Sequence, residues 1–171
     1  MVFAHDTIEG LESAAFLANS ELEPDTLTDF EHLETFFDDF GYSDPRPRPS
    51  DLEPVRAIRT QIRALFKSSR DQAVPLVNTI LAHQQALPQL VRHGAQDWHI
   101  HAKPDDSPFA ERILVETAMA MVEVIRADEF QRFGECEMDD CDGIVLDLSR
   151  NRSRKYCSVT CTNRAAQMAY R

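Results

Sequence analysis

Four cysteines, Cys136, Cys141, Cys157 and Cys161, stand within 26 residues near one end of this 171-residue chain. They fall as two pairs, Cys-x4-Cys and Cys-x3-Cys, with fifteen residues between them. Two thiolates presented from each of two short turns can converge on one cation without strain, and zinc takes four such soft ligands at tetrahedral angles. With sulfur at every position none is left for a reacting water, so the implied site is structural and not catalytic. The alternatives are two disulfides, or free thiols packed as small apolar groups. The spacing favours zinc, as does an opening stretch, MVFAHDTIEG, without the basic start and apolar core of a secretory signal.

The residues between and after the ligands supply a finger. Asp142-Gly143 is a turn signal, Ile144 to Leu148 reads as a strand, and Ser158 is placed to cap a helix running to Tyr170. Knuckle, hairpin and helix in that order resemble a treble-clef finger, with Cys157 and Cys161 in the first helical turn. A module this small draws most of its folding free energy from the metal.

Charge then separates this stretch from the rest. Residues 148–171 hold six of the chain's 18 Lys and Arg and none of its 29 Asp and Glu, a local +6 on a chain of net charge -11. The whole chain therefore does not attract nucleic acid or an anionic membrane, but the local segment has the footprint of phosphate contacts. Candidate contacts are Arg150, Arg152, Arg154, Lys155 and Arg164, with Asn151 and Asn163 as neutral donors beside a helix N-terminus suited to phosphate. The bland alternative is a solvated basic edge that pairs with this chain's own acidic helices or with a partner protein.

Helices must carry this finger. Ile8, Leu11, Ala15 and Phe16 predict one over 7–19, and Phe30, Leu33, Phe36, Phe37 and Phe40 predict another ending at Gly41. Those phenylalanines read as core and not as a ligand stripe. The run DPRPRP over 44–49 is a linker. Ser50 and Glu53 form a predicted capping box for a helix with Val55, Ile58, Ile62, Leu65 and Phe66 on one face. A shorter helix is expected after Asp71, then a hairpin turning at Gly94, Ala95 and Gln96, and then a long, mostly buried helix opened by Ser107-Pro108. Fourteen acidic residues over 1–53 read as solvated helix faces. The expected fold is mainly α with a small β-hairpin, divided into a helical domain over residues 1–128 and a treble-clef-like zinc finger over 129–171. No apolar run approaches the roughly 20 residues of a membrane span, so a soluble, cytoplasmic protein without a membrane partner is expected.

At the cysteines the sequence resembles the CGNR zinc-finger family. Asp147-Leu148-Ser149-Arg150-Asn151-Arg152-Ser153-Arg154-Lys155-Tyr156-Cys157-Ser158, then Cys161-Thr162-Asn163-Arg164, is similar to that family's D-x-SRN-x-SRR-x-CS and CGNR pattern. Thr162 stands where the name-giving motif has glycine, which bears on packing in the first helical turn. In the family an N-terminal ABATE domain precedes the finger, and Phe16-Leu17-Ala18-Asn19-Ser20 is similar to its apolar stretch ending in Val-Asn-Thr. The resemblance implies a stress-induced transcription regulator that binds DNA, whose N-terminal domain senses a ligand or stress signal and tunes the finger. The other reading is a zinc-stabilised protein–protein interaction module without DNA binding.

Asn19, a polar residue ending an apolar helix, is a candidate pocket residue beside its plainer role as a C-cap. Trp98 is placed in the core or in a small-molecule pocket under the hairpin. His99 and His101 share one face of a strand, a metal- or anion-binding geometry that lacks a third ligand nearby. Glycine-rich phosphate loops and nucleophile elbows are missing, so no enzyme is expected. A single finger is a small footprint, which makes a homodimer the expected way to present two.

Overall fold

The helix Phe109–Arg126 (α5) buries more residues than any other element among the described residues, and the helices His5–Asn19, Leu52–Lys67 and Arg70–His83 pack against it. The computed structural model describes residues 3–92 and 98–169. The turn expected at Gly94 to Gln96 lies outside those residues, as do Tyr170 and Arg171. The order is α1 (His5–Asn19), α2 (Phe30–Asp39), α3 (Leu52–Lys67), α4 (Arg70–His83), β1 (Gln89–Val91), β2 (His99–His101), α5, β3 (Phe133–Glu135), β4 (Ile144–Leu146) and α6 (Val159–Ala169). Among the described residues, six α-helices and two small antiparallel hairpins make this a mainly α fold with a cysteine-rich finger at one end.

Helix α5 buries Ile113, Leu114, Val115, Ala118, Ala120, Met121 and Val124 against α1, α3 and α4. Helix α1 packs along it with Gly10 at the contact. A Cβ on Gly10 would lie 3.4 Å from Ala120 Cβ, so small residues set how near the two helices come. Phe36 and Phe37 are buried and meet the rings of Phe16, Tyr42 and Phe109 at centroid distances of 5.5–6.2 Å, which makes the phenylalanine run core.

Two local expectations differ in detail. The cap before α3 is a short 3-10 turn over Pro49–Asp51, in which the Asp51 carboxylate accepts the Arg48 N–H at 2.6 Å. Asp51 rather than Glu53 makes this contact because Pro49 starts the turn earlier than the capping box assumed. Helix α4 begins at Arg70 and runs 14 residues through Pro75, with Ser69 and Gln72 capping each other's backbone N–H groups. Proline in a helix interior forfeits one hydrogen bond; the capping box and the burial of Ala73, Val77 and Ile80 against α5 hold the helix together across it.

The hairpin β1–β2 pairs Leu90 with Ile100, and β3–β4 pairs Gly134 with Val145. Strand β3 is the element that the sequence concealed, since Phe-Gly-Glu carries no alternation and little β propensity. Strand β4 does more than complete the finger. Ile144 and Leu146 enter the same apolar cluster as α1, α3 and α5, at 2% and 5% exposure. Burying two such side chains contributes about 3–6 kcal/mol, so the finger is docked on the helices and not merely tethered to them.

Candidate functional site

The four cysteine sulfurs all lie within 4.8 Å of one another. Three of the separations are 3.6 Å (Cys141–Cys157), 3.8 Å (Cys157–Cys161) and 3.8 Å (Cys161–Cys141). A disulfide would need about 2.05 Å, whereas a tetrahedron with metal–sulfur bonds of about 2.3 Å has edges of about 3.8 Å. The geometry therefore selects zinc over the disulfide alternative. Burial, and after it the neighbouring sulfurs, push the Cys157 thiol up; a divalent cation among the four sulfurs reverses that balance by neutralising thiolates that otherwise repel.

Each ligand is held by its local fold. Cys136 N–H donates to Gly143 O at 2.9 Å and Cys141 N–H to Met138 O at 3.0 Å, which closes the first knuckle. Ser158 Oγ accepts the Cys161 N–H at 3.2 Å, so the second pair sits at the start of α6 as expected. Gly143 has no substitute here, because a Cβ would fall 2.4 Å from Cys157 Sγ and 3.2 Å from Cys141 Sγ. Thr162, at the position of the family glycine, is exposed and bonds its hydroxyl to Ser158 O at 3.0 Å, away from the metal.

The arginine loop between the ligand pairs hangs from one buried carboxylate. Asp147 accepts the Ser149 N–H at 2.8 Å and the Arg154 N–H at 2.7 Å, one on each oxygen. Burial opposes its ionisation, yet these hydrogen bonds and the charge of Arg132 outweigh it and hold the carboxyl below the usual range. Arg132, itself buried, donates to Asp147 O at 2.9 Å and Ser149 O at 3.2 Å. Neither residue was singled out from sequence, although Asp147 opens the quoted motif.

Within this frame the candidate contacts separate. Arg154 donates to the carbonyls of Leu146, Tyr156 and Cys157 at 3.1–3.2 Å, a bracing role inside the finger. Arg152 pairs with Glu129 at 2.7 Å, Lys155 with Glu137 at 3.0 Å and Arg164 with Asp140 at 2.5 Å. Arg150, Asn151 and Asn163 are exposed, and Arg150 has no hydrogen-bond or ion-pair partner among the described residues.

Asn19, Arg63 and Lys67 reach from the helices to the finger, Lys67 through an ion pair with Glu135 at 2.9 Å. Asn19 donates its amide N–H to Ile144 O at 2.9 Å and accepts the Ile144 N–H at 2.7 Å, while Arg63 donates to the carbonyl of Asp142. On β4 the groups of Gly143, Val145 and Asp147 face β3, so those of Ile144 point the opposite way. The Asn19 amide stands where a third strand would. Its polar atoms are thus committed to the backbone, although the residue also borders a groove between the helices and the finger. Trp98 is 63% exposed and lines neither cavity. The rings of His99 and His101 lie 4.9 Å apart and do line a cavity under β2. Among the described residues the only group of three or more potential metal ligands is the cysteine cluster.

Residues 13–128, more than half of the chain, match the family model ABATE, described as "Putative stress-induced transcription regulator". The chain belongs to the ABATE family. Residues 132–171 of this ABATE protein match the CGNR zinc finger model, so the cysteine cluster is the site of one structural zinc ion. Both are regulatory and zinc-finger families rather than enzyme families. A search of curated proteins finds no match. No helix among the described residues is long and apolar enough to cross a membrane.

Proposed function

We propose that this ABATE protein is a cytoplasmic, non-enzymatic transcription regulator that binds duplex DNA through its finger, with the helical domain tuning that contact in response to a signal. The boundary between sensor and reader falls near residue 128, and pairing of two chains would present two fingers. The observation that carries the reading is the exposed loop from Arg150 to Lys155, held on a rigid zinc-closed frame by Asp147. Lys155 and Arg164 are paired with exposed carboxylates, and such surface pairs contribute only about 0–1 kcal/mol. Exchanging Glu137 or Asp140 for a phosphate therefore costs little. Arg152 exchanges less readily, because Glu129 is mostly buried and also contacts Arg132.

Fluorescence anisotropy of a labelled duplex with the zinc-loaded chain tests this. Four phosphates met by Arg150, Arg152, Lys155 and Arg164 give a log–log salt slope of about -3.6, roughly a hundredfold loss of affinity between about 50 and 200 mM salt. Arg150→Ala should flatten the slope by about 0.9. Arg154→Ala should leave the slope and lower stability, because its guanidinium serves carbonyls of the finger. A second reading, a protein-interaction module, draws on Val159 and Met168 of α6, exposed at 76% and 62%. Absence of duplex binding at low salt, with capture of a protein partner through α6, would favour it.

A further inference from the structure

We propose that the cavity enclosed by α1, the segment 40–43, β2 and α5 is a binding site for a small organic cation, an amine carried on an apolar or aromatic body. The cavity measures about 200 Å³. Phe40, Tyr42, Ile100, Met119 and Ala120 form its apolar wall. Asp6, Glu9, Glu116 and Glu123 supply its acidic groups and His99 and His101 line it beside them, while among the described residues no lysine or arginine does.

One of those carboxylates distinguishes the cavity from a merely acidic surface. Asp6 is occupied by the Thr7 and Ile100 N–H groups, and Glu123 by Arg126. Glu9 pairs with His5. Glu116, largely buried on the cavity floor, has no hydrogen-bond or ion-pair partner among the described residues. Arg112, one turn earlier on α5, spends its guanidinium on Ser43 O at 2.8 Å, Ser43 Oγ at 2.9 Å and Pro45 O. Burial accordingly pushes the Glu116 carboxyl up to about 7, with Asp105 and Glu9 adding to the rise against Arg112. A buried carboxylate without a partner is costly, and a cation delivered by a ligand is the partner that the fold omits.

The remaining chemistry narrows the class. These carboxylates do not converge closely enough to hold a metal ion, which rules against a bare divalent cation. An anion would meet four acidic groups. A body with an aromatic or apolar part can instead lie against Tyr42 and Phe40, with its ammonium toward Glu116, where ring faces also attract positive charge. The assignment takes from the proposed function only the idea that the helical domain senses something, and it is testable without DNA. Failure of DNA binding leaves it standing, and its own failure leaves the finger's role untouched.

The probe is benzylamine, titrated at neutral pH into the full zinc-loaded chain and followed by calorimetry and by amide NMR shifts. Benzyl alcohol is the uncharged isostere and benzoate the anion. Benzylamine should bind at least tenfold more tightly than benzyl alcohol, shift amides of α1 and β2, and outcompete benzoate. Glu116→Gln, near-isosteric and relieved of a buried charge, should keep the fold and reduce the preference to below about threefold. Asp139→Asn, on the finger, should change nothing at this site. Equal affinity for amine and alcohol, an unchanged preference in Glu116→Gln, or no amine binding at concentrations on the order of 10 mM would each overturn the proposal.

Discussion

Replacing Asn19 by leucine removes the two hydrogen bonds by which α1 holds the zinc knuckle while keeping a side chain of similar bulk. Ile144 is 2% exposed, so its N–H and C=O, satisfied at 2.7 Å and 2.9 Å in the native chain, have no water to turn to. Each buried group left unpaired costs about 1–3 kcal/mol. Both together give about 2–5 kcal/mol, less whatever a water entering the gap recovers. A chain of this size shifts its melting temperature by about 2–4 °C per kcal/mol, so a fall of roughly 4–20 °C is expected. Urea unfolding of the zinc-loaded chain, followed by circular dichroism, measures the free energy, with the m-value checked for constancy. Zinc transfer to a chelator, timed separately, should accelerate in the variant because the knuckle is released from α1. A loss below about 1 kcal/mol, or stabilisation, would refute the clamp and return Asn19 to the role of a groove-lining residue.

Two further outcomes follow from local geometry. Gly143→Ala drives a methyl carbon to 2.4 Å from Cys157 Sγ, so the purified variant should hold substoichiometric zinc by metal analysis; a full complement would show that the knuckle can yield. Asp25 takes hydrogen bonds at 2.9 Å from both terminal nitrogens of the buried Arg59, which, with smaller help from Leu27 N–H and Arg56, holds its carboxyl at about 2 against a usual 3.8. A depressed folded-state value stabilises the protein above the unfolded value and loses that effect as pH falls through the folded one. About 2 kcal/mol should therefore disappear between pH 4 and pH 2, and Asp25→Asn should flatten that part of the stability–pH curve; an unchanged curve would refute the assignment.

The zinc site was legible in the sequence because all its information is local. Cys136 and Cys141 lie in one short turn, Cys157 and Cys161 in another, and the metal needs only those four sulfurs. The helices were legible for a related reason, since burial repeats with the helical period, and the exceptions were at Asp51 and Pro75, where cap geometry and packing overrode the pattern. Strand β3 stayed hidden because Phe133-Gly134-Glu135 becomes a strand only through its partner.

Tertiary structure alone decided how the basic loop is used. Nothing in the run Arg150 to Lys155 tells that Arg154 faces carbonyls of its own finger, that Arg152 meets Glu129, or that Lys155 meets Glu137. The same holds for Asn19, whose partner Ile144 lies 125 residues away. Whether a polar side chain lines a pocket or completes a sheet depends on which backbone groups another element leaves unpaired beside it. That demand arises only when β4 packs against α1, and Glu116 acquires its lone place on a cavity floor in the same way, from the elements that close around it.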